Sequence, residues 1–147
     1  MIQIVRKASL VILALAMCCT TALAGGNATK SKKAEAFNWN PIMDAIIQVE
    51  SEGNPNAVSG QSVGVMQITP ILVRECNDIL KKQKSKKRFE MNDRYSVAKS
   101  KEMFLLIQSY HNPTNSIEKA IRSWNGGMKY SVRATNRYYK KVMSKMK

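Results

Sequence analysis

The chain reads as mainly α, a compact helical domain with at most a short β element. Two observations predict this. Apolar residues recur at i, i+3, i+4 and i+7 in successive stretches, each bracketed by cap residues, Pro or Gly. No stretch shows the convincing alternation of a half-buried strand, and no internal repeat is present.

The elements follow in order. The folded part is expected to begin near Phe37-Asn38-Trp39. Asn40-Pro41 predicts a helix start, with Asn as N-cap and Pro at the first helical position. Ile42, Ala45, Ile46 and Val49 then form a core-facing stripe, and Gly53 with Asn54-Pro55 stops it. Val63 to Ile68 reads as a short extended segment or hairpin. Pro70 opens a second helix with Ile71, Leu72, Cys76, Ile79 and Leu80 on its apolar face. The run Lys81 to Arg88 breaks the periodicity and reads as a solvated helix end and loop; a patch for an anionic polymer or membrane surface is the alternative. Asp93 is placed to cap a third helix, Arg94 to Tyr110, carrying Val97, the Lys101 stem, Phe104, Leu105 and Tyr110. Met103 and Ile107 widen that face. Asn112-Pro113 breaks it, and Asn115 or Ser116 starts a fourth helix through Ile117, Ala120, Ile121 and Trp124, ended by Gly126-Gly127. A last helix is expected over Thr135 to Met146, basic in its final turns.

The N-terminus predicts export. Arg6 and Lys7 precede the apolar run Ala8 to Met17, and Ala22-Leu23-Ala24 supplies a small-residue cleavage site. Residues 1–24 are therefore expected as a signal peptide, 25–38 as a flexible polar leader and 39–147 as the domain, at the periplasm or cell envelope. Leu15-Ala16-Met17-Cys18 offers a competing lipoprotein signal with Cys18 lipidated, although Met17 is bulky for the position before that Cys. Cys18 and Cys19 leave with the signal, so Cys76 has no internal disulfide partner and reads as a buried or half-buried thiol. The domain has to be stable by packing, and its length allows a real core.

A formal charge of +14 favours polyanionic surroundings: envelope polymers, anionic lipid or nucleic acid. Export and the lack of a nucleic-acid motif set the last aside. His111, the single His, reads as a surface loop residue without a metal partner, and no cofactor is expected.

Glu50 carries the chemistry. At about 100° per residue it falls on the shoulder of the Ile42, Ala45, Ile46 and Val49 stripe, along the core boundary. Desolvation and the negative end of the helix dipole both disfavour its anion, which is the condition a general acid needs. Glu52 lies about 200° away and reads as solvated. Alone, such a Glu is more often a snorkelling or salt-bridged residue.

Its surroundings change that reading. Glu50-Ser51 with Gly53-Asn54-Pro55-Asn56-Ala57-Val58-Ser59 resembles the E-S-x-x-N-P-x-A-x-S segment of lytic transglycosylases, the domain type of soluble lytic transglycosylases and goose-type lysozymes. Gly64-Val65-Met66-Gln67 resembles their G-L-M-Q motif, Ser123-Trp124-Asn125-Gly126-Gly127 their A-Y-N-x-G, and Thr135 to Val142 their C-terminal aromatic segment. The four stand in the family's order and cover Trp39 to Val142. Trp124 replaces the usual Tyr, Ser123 the usual Ala and Val65 the usual Leu, and the Ser59 to Gly64 connection is shorter than in many relatives. These departures bear on substrate preference more than on chemistry.

The resemblance implies a lysozyme-like fold with a cleft, and Glu50 as the single acid/base acting between N-acetylmuramic acid and N-acetylglucosamine of peptidoglycan. The same carboxylate would then deprotonate the muramic C6 hydroxyl, giving a 1,6-anhydro end without water. Hydrolysis usually sets two carboxylates across the bond, and Asp44, Glu52, Glu75 and Asp93 have no matching place. Ser51 is expected to bond near Glu50 or the sugar. Met66 and Gln67 are expected to line the cleft, with a core position as the alternative for Met66 and Gln67 offering donor and acceptor to an N-acetyl group. Asn125 is expected to orient substrate or Glu50, Trp124 to stack on a sugar or close the core, and Tyr138 (or Tyr139, one position on) to reach Glu50.

The implied partners are peptidoglycan strands, met as a monomer, with a membrane surface and a secretion or conjugation apparatus as further candidates. Two other readings compete: a lysozyme-type hydrolase of the same bond, and a non-catalytic wall-binding protein, against which the retained Glu50, Gln67, Asn125 and Tyr138 argue.

Overall fold

The computed structural model describes residues 36–146. The expected signal peptide, the Cys18 alternative and most of the leader lie outside the described residues. The rest is mainly helical around one small antiparallel hairpin, as the periodicity predicts.

Helix α1 spans Asn40–Ser51. It starts one residue earlier than expected: Asn40 is already helical, and Asn38 Oδ1 accepts its N–H at 3.0 Å. Trp39 takes a helical conformation because its indole is buried edge-on against Phe104, 5.6 Å between ring centroids. Phe37, at the expected start of the folded part, packs on Trp39 at 4.6 Å. Ile42, Ala45 and Ile46 are buried as expected, with Met43 and Ile47 beside them. The helix ends as Glu52 and Gly53 turn into the left-handed region, φ 55° and 86°.

Strands β1 (Val58–Ser59) and β2 (Ser62–Val63) form the hairpin, pairing Val58 with Val63 and Ser59 with Ser62. A further bridge joins Val63 to Ile68. Between them Gly64 sits at φ 78°, and a Cβ there would lie 1.9 Å from the Arg94 carbonyl oxygen. Only glycine fits. Gly64→Ala is expected to destabilise the domain by about 3 kcal/mol or more, from left-handed strain and overpacking together, read as a lowered urea midpoint.

Helix α2 (Pro70–Lys82) is capped by Thr69 Oγ1, which accepts from Leu72 N at 3.3 Å. Its buried face is Val73, Cys76, Ile79 and Leu80, whereas Ile71, expected inside, is 63% exposed. At about 100° per residue Val73 falls within the arc of the others and Ile71 opposite it. Lys81 to Arg88 are all exposed.

The expected third helix is two elements. Glu90 and Asp93 close a capping box around a 3₁₀ turn, Met91–Tyr95, and α3 (Val97–His111) starts afresh at the Ser96 cap. Its buried face is Ser100, Met103, Phe104, Ile107 and Gln108; Val97, Leu105 and Tyr110 point outward. Polar Gln108 is tolerated inside because Asn112 Nδ2 donates to its Oε1 at 3.0 Å. Asn112 also brackets the next turn, donating to Ser116 O and accepting from Ser116 N.

Helix α4 (Ile117–Gly126) is capped by Ser116 and ends at Gly127, φ 71°. Helix α5 (Val132–Met143) begins three residues before the expected Thr135, because the Ser131 hydroxyl caps it. Thr135 is instead buried, and it accepts from Arg122 of α4 at 3.1 Å. Arg122 also donates to Glu118 and to Val132 O, and its guanidinium stacks over Tyr139, 4.3 Å from the ring centroid. This clamp joins α4 to α5.

Candidate active site

Glu50 is the penultimate residue of α1, and residues of the hairpin, α2, α4 and α5 line the hollows around it. Burial of its neighbours Ile46 and Ile47 leaves Glu50 half-buried at the core edge. Tyr138, from α5, donates its hydroxyl hydrogen to Glu50 Oε1 at 2.6 Å. Burial lifts the Glu50 carboxyl above its ordinary pKa, against the weaker opposing pull of the Tyr138 hydrogen bond and the Lys141 charge. The Tyr138 hydroxyl is pushed up as well, by burial and by the Glu50 charge, so it remains a donor. Glu52, next but one, is exposed and turned away.

Two hollows open on either side of this carboxylate. One, about 250 Å³, lies between the hairpin residues Ser59 and Ser62, Gln67 and Thr69 on one wall and Trp124 and Asn125 on the other. A further hollow of about 240 Å³ shares Thr69, Leu72, Trp124 and Asn125 with it and continues towards Ile71 and Met128. On the opposite side, about 460 Å³ is bounded by Val49, Asn125, Arg137, Tyr138 and Lys141. The three hollows adjoin through shared lining residues as one groove, and Glu50 lines two of them. A larger hollow, about 800 Å³, runs along Asp44, Gln48 and Lys145, and no sequence-predicted site residue lines it.

A family model of the transglycosylase SLT domain matches residues 27–147. The chain belongs to the transglycosylase SLT domain family. No curated protein and no solved structure matched the chain. Membership carries lytic transglycosylase-type activity on peptidoglycan, a polymer outside the cytoplasm, and a lysozyme-like helical fold. No helix among the described residues is long and apolar enough to cross a membrane.

Within this SLT domain, Glu50, Gln67, Trp124, Asn125 and Tyr138 do converge on the groove. Trp124 closes the core, its ring packing on Phe104 at 5.2 Å between centroids, and also lines the groove. Its Nε1–H donates to Met66 O at 3.2 Å. Gln67 takes a left-handed backbone, φ 50°, and its Nε2 donates to Gly64 O and Ala57 O at 2.9 and 3.2 Å. Both amide hydrogens are thus committed to the loop, and the acceptor Oε1 is what it can offer a sugar.

Two expectations need correcting. Met66 does not line the groove: it is fully buried, its side chain in the core and only its carbonyl turned to Trp124. Ser51 is in the lining of neither hollow beside Glu50, and its single hydroxyl hydrogen lies towards Val65 O at 2.9 Å and Ile47 O at 3.3 Å. It braces the end of α1 against the Gly64–Gln67 turn. Ser51→Ala is expected to cost about 1 kcal/mol of stability and to leave KM within about twofold. A large rise in KM with unchanged stability would return Ser51 to the substrate.

His111 is the last residue of α3 rather than a loop residue, with Nε2 2.7 Å from Glu75 Oε1. Sequence reasoning passed over Ser59, Ser62 and Thr69 in the groove, and Arg137 and Lys141 beside Glu50. Lys141 had a signal, since it stands three residues after Tyr138 on the same helix. Arg122 had none, as a buried Arg looks like any surface cation in sequence.

Proposed function

We propose that the protein is an exported, monomeric peptidoglycan lytic transglycosylase that cleaves between N-acetylmuramic acid and N-acetylglucosamine and leaves 1,6-anhydromuramic ends. The observation that carries this reading is Glu50, half-buried at the centre of the groove with Tyr138 bonded to one of its two oxygens. Tyr138 occupies Oε1, so the acid proton is carried on Oε2. That proton passes to the glycosidic oxygen as the C1–O bond breaks, and the sugar acetamido oxygen steadies the cationic C1. Glu50, now the anion held by Tyr138, takes the proton of the muramic C6 hydroxyl, and O6 closes on C1. The carboxyl ends protonated as it began, and no water is consumed. Among the described residues, neither hollow against Glu50 has a second carboxylate in its lining, whereas ordinary hydrolysis uses a pair.

Digestion of purified peptidoglycan followed by mass spectrometry tests this. Anhydro products are lighter by one water than hydrolysed ones. A digest in which the heavier, hydrated ends predominate would assign a lysozyme-type hydrolase, and binding without turnover would assign a wall-binding protein. N-terminal sequencing of the exported protein, expected to start at Gly25, tests the signal peptide.

A further inference from the structure

The two compartments flanking Glu50 differ in charge. The hairpin side presents hydroxyls and an amide: Ser59, Ser62, Thr69 and Gln67. The α5 side presents two cations, Arg137 and Lys141, one helical turn apart on α5 and both lining the hollow that holds Glu50 and Tyr138. Neither side chain makes a hydrogen bond or ion pair among the described residues, as is true of most cations here, but these two share a hollow with Glu50. Among the described residues the only acid in the same hollow is Glu50 itself, and burial favours its neutral form. Helix α5 brings no acid of its own, so Arg133, Lys140 and the Arg137–Lys141 pair leave that flank uniformly positive.

Two unpaired cations in a hollow beside the reacting carboxylate are arranged for an anion carried by the substrate. The sugar rings supply none. In peptidoglycan the lactyl group of muramic acid is amide-linked and neutral, and the negative charge sits on the carboxylates of the attached peptide stem. We propose that Arg137 and Lys141 form a subsite for those stem carboxylates, so that this SLT domain selects peptide-bearing strands and seats the muramic residue on the α5 side of Glu50. The inference rests on the transglycosylase reading above. The pair grips by charge at a solvent-exposed rim, so the preference is moderate and weakens with salt.

The test compares kcat/KM on three forms of one purified glycan: native stems, stems with carboxylates converted to amides, and strands stripped of peptide, which expose the lactyl carboxylate. Native stems are expected to be preferred over amidated stems by about fivefold, with the difference shrinking at about 0.5 M salt. In the double variant Arg137→Gln, Lys141→Gln the preference is expected to fall below about twofold. Stripped strands cleaved as well as native ones would assign the subsite to the lactyl carboxylate and overturn the stem proposal. Equal cleavage of native and amidated stems by the unaltered protein, or a full preference kept by the double variant, would overturn it too. Should the variant fail to fold, the substrate and salt arms on the unaltered protein decide. Cleavage of none of the three forms would sink the transglycosylase reading and this inference with it.

Discussion

Glu50→Gln is expected to lower kcat/KM on purified peptidoglycan by about 10³-fold, the order that a positioned general acid supplies. The fold is expected to survive, because an amide oxygen can still accept the Tyr138 hydroxyl at the position of Oε1. A second effect runs in the opposite direction. Burial raises the folded-state pKa of Glu50 above its unfolded value, so the native protein disfavours the anion. The associated stability is fully present below the unfolded pKa and is lost as pH rises through the folded one. Gln has no such dependence. The variant is therefore expected to have the higher urea midpoint at about pH 8, with the advantage fading towards about pH 3.5, where both side chains are neutral. An inactive but stabilised protein would mark Glu50 as a residue held at a cost for chemistry. Retained activity would end its role as the acid.

Tyr138→Phe is expected to lower kcat/KM by about 10- to 100-fold and to move the alkaline limb of its pH profile upward. The sign follows from the hydrogen bond. The Tyr138 hydroxyl favours the Glu50 anion, which lowers the carboxyl pKa against the larger effect of burial. Removing the hydroxyl leaves burial less opposed, the pKa rises further, and the protonated acid persists to higher pH. The rate falls nonetheless, because the anion formed after proton transfer loses its donor. A hydroxyl that merely filled space would reduce the rate without moving the limb, so a stationary pH profile would demote Tyr138 to packing.

Much of the fold was legible because α1 and α4 carry their burial in an apolar rhythm that tertiary structure leaves intact. Ile42, Ala45 and Ile46, and then Ala120 and Ile121, are inside as the spacing predicts. The third helix was legible in part: Met103, Phe104 and Ile107 are inside as expected, and the rest differs for a physical reason. Its buried face includes Ser100 and Gln108, which can go inside because Arg94 O and Asn112 satisfy them, and no helical wheel contains those partners. Its apolar Val97, Leu105 and Tyr110 could then be spared for the surface. The start of α5 was missed because Ser131 and Thr135 are both plausible caps, and only the clamp with Arg122 settles which one is buried.

The groove followed a different logic. Glu50 and Tyr138 lie far apart in sequence, and their meeting was legible from the motifs' resemblance rather than from periodicity. Met66 and Ser51 stand in those motifs too, yet they brace the site from behind. A motif marks which residues are needed without separating those that touch the sugar from those that hold the loop. That distinction depends on which way each side chain turns, which the three-dimensional packing decides.

The Arg122 clamp has a mechanical consequence. By gripping Glu118, Val132 O, Thr135 and the Tyr139 face at once, it makes α4 and α5 behave as one stiff plate bearing Trp124, Asn125, Tyr138 and Lys141. The hairpin opposite is two residues per strand, and the Gly64–Gln67 turn that follows it is tied to α1 by the Ser51 hydroxyl. Both walls are therefore fixed, the hairpin by Arg94, which donates to Gln61 O and Ile68 O, and the α4–α5 plate by Arg122, which keeps Tyr138 in register with Glu50.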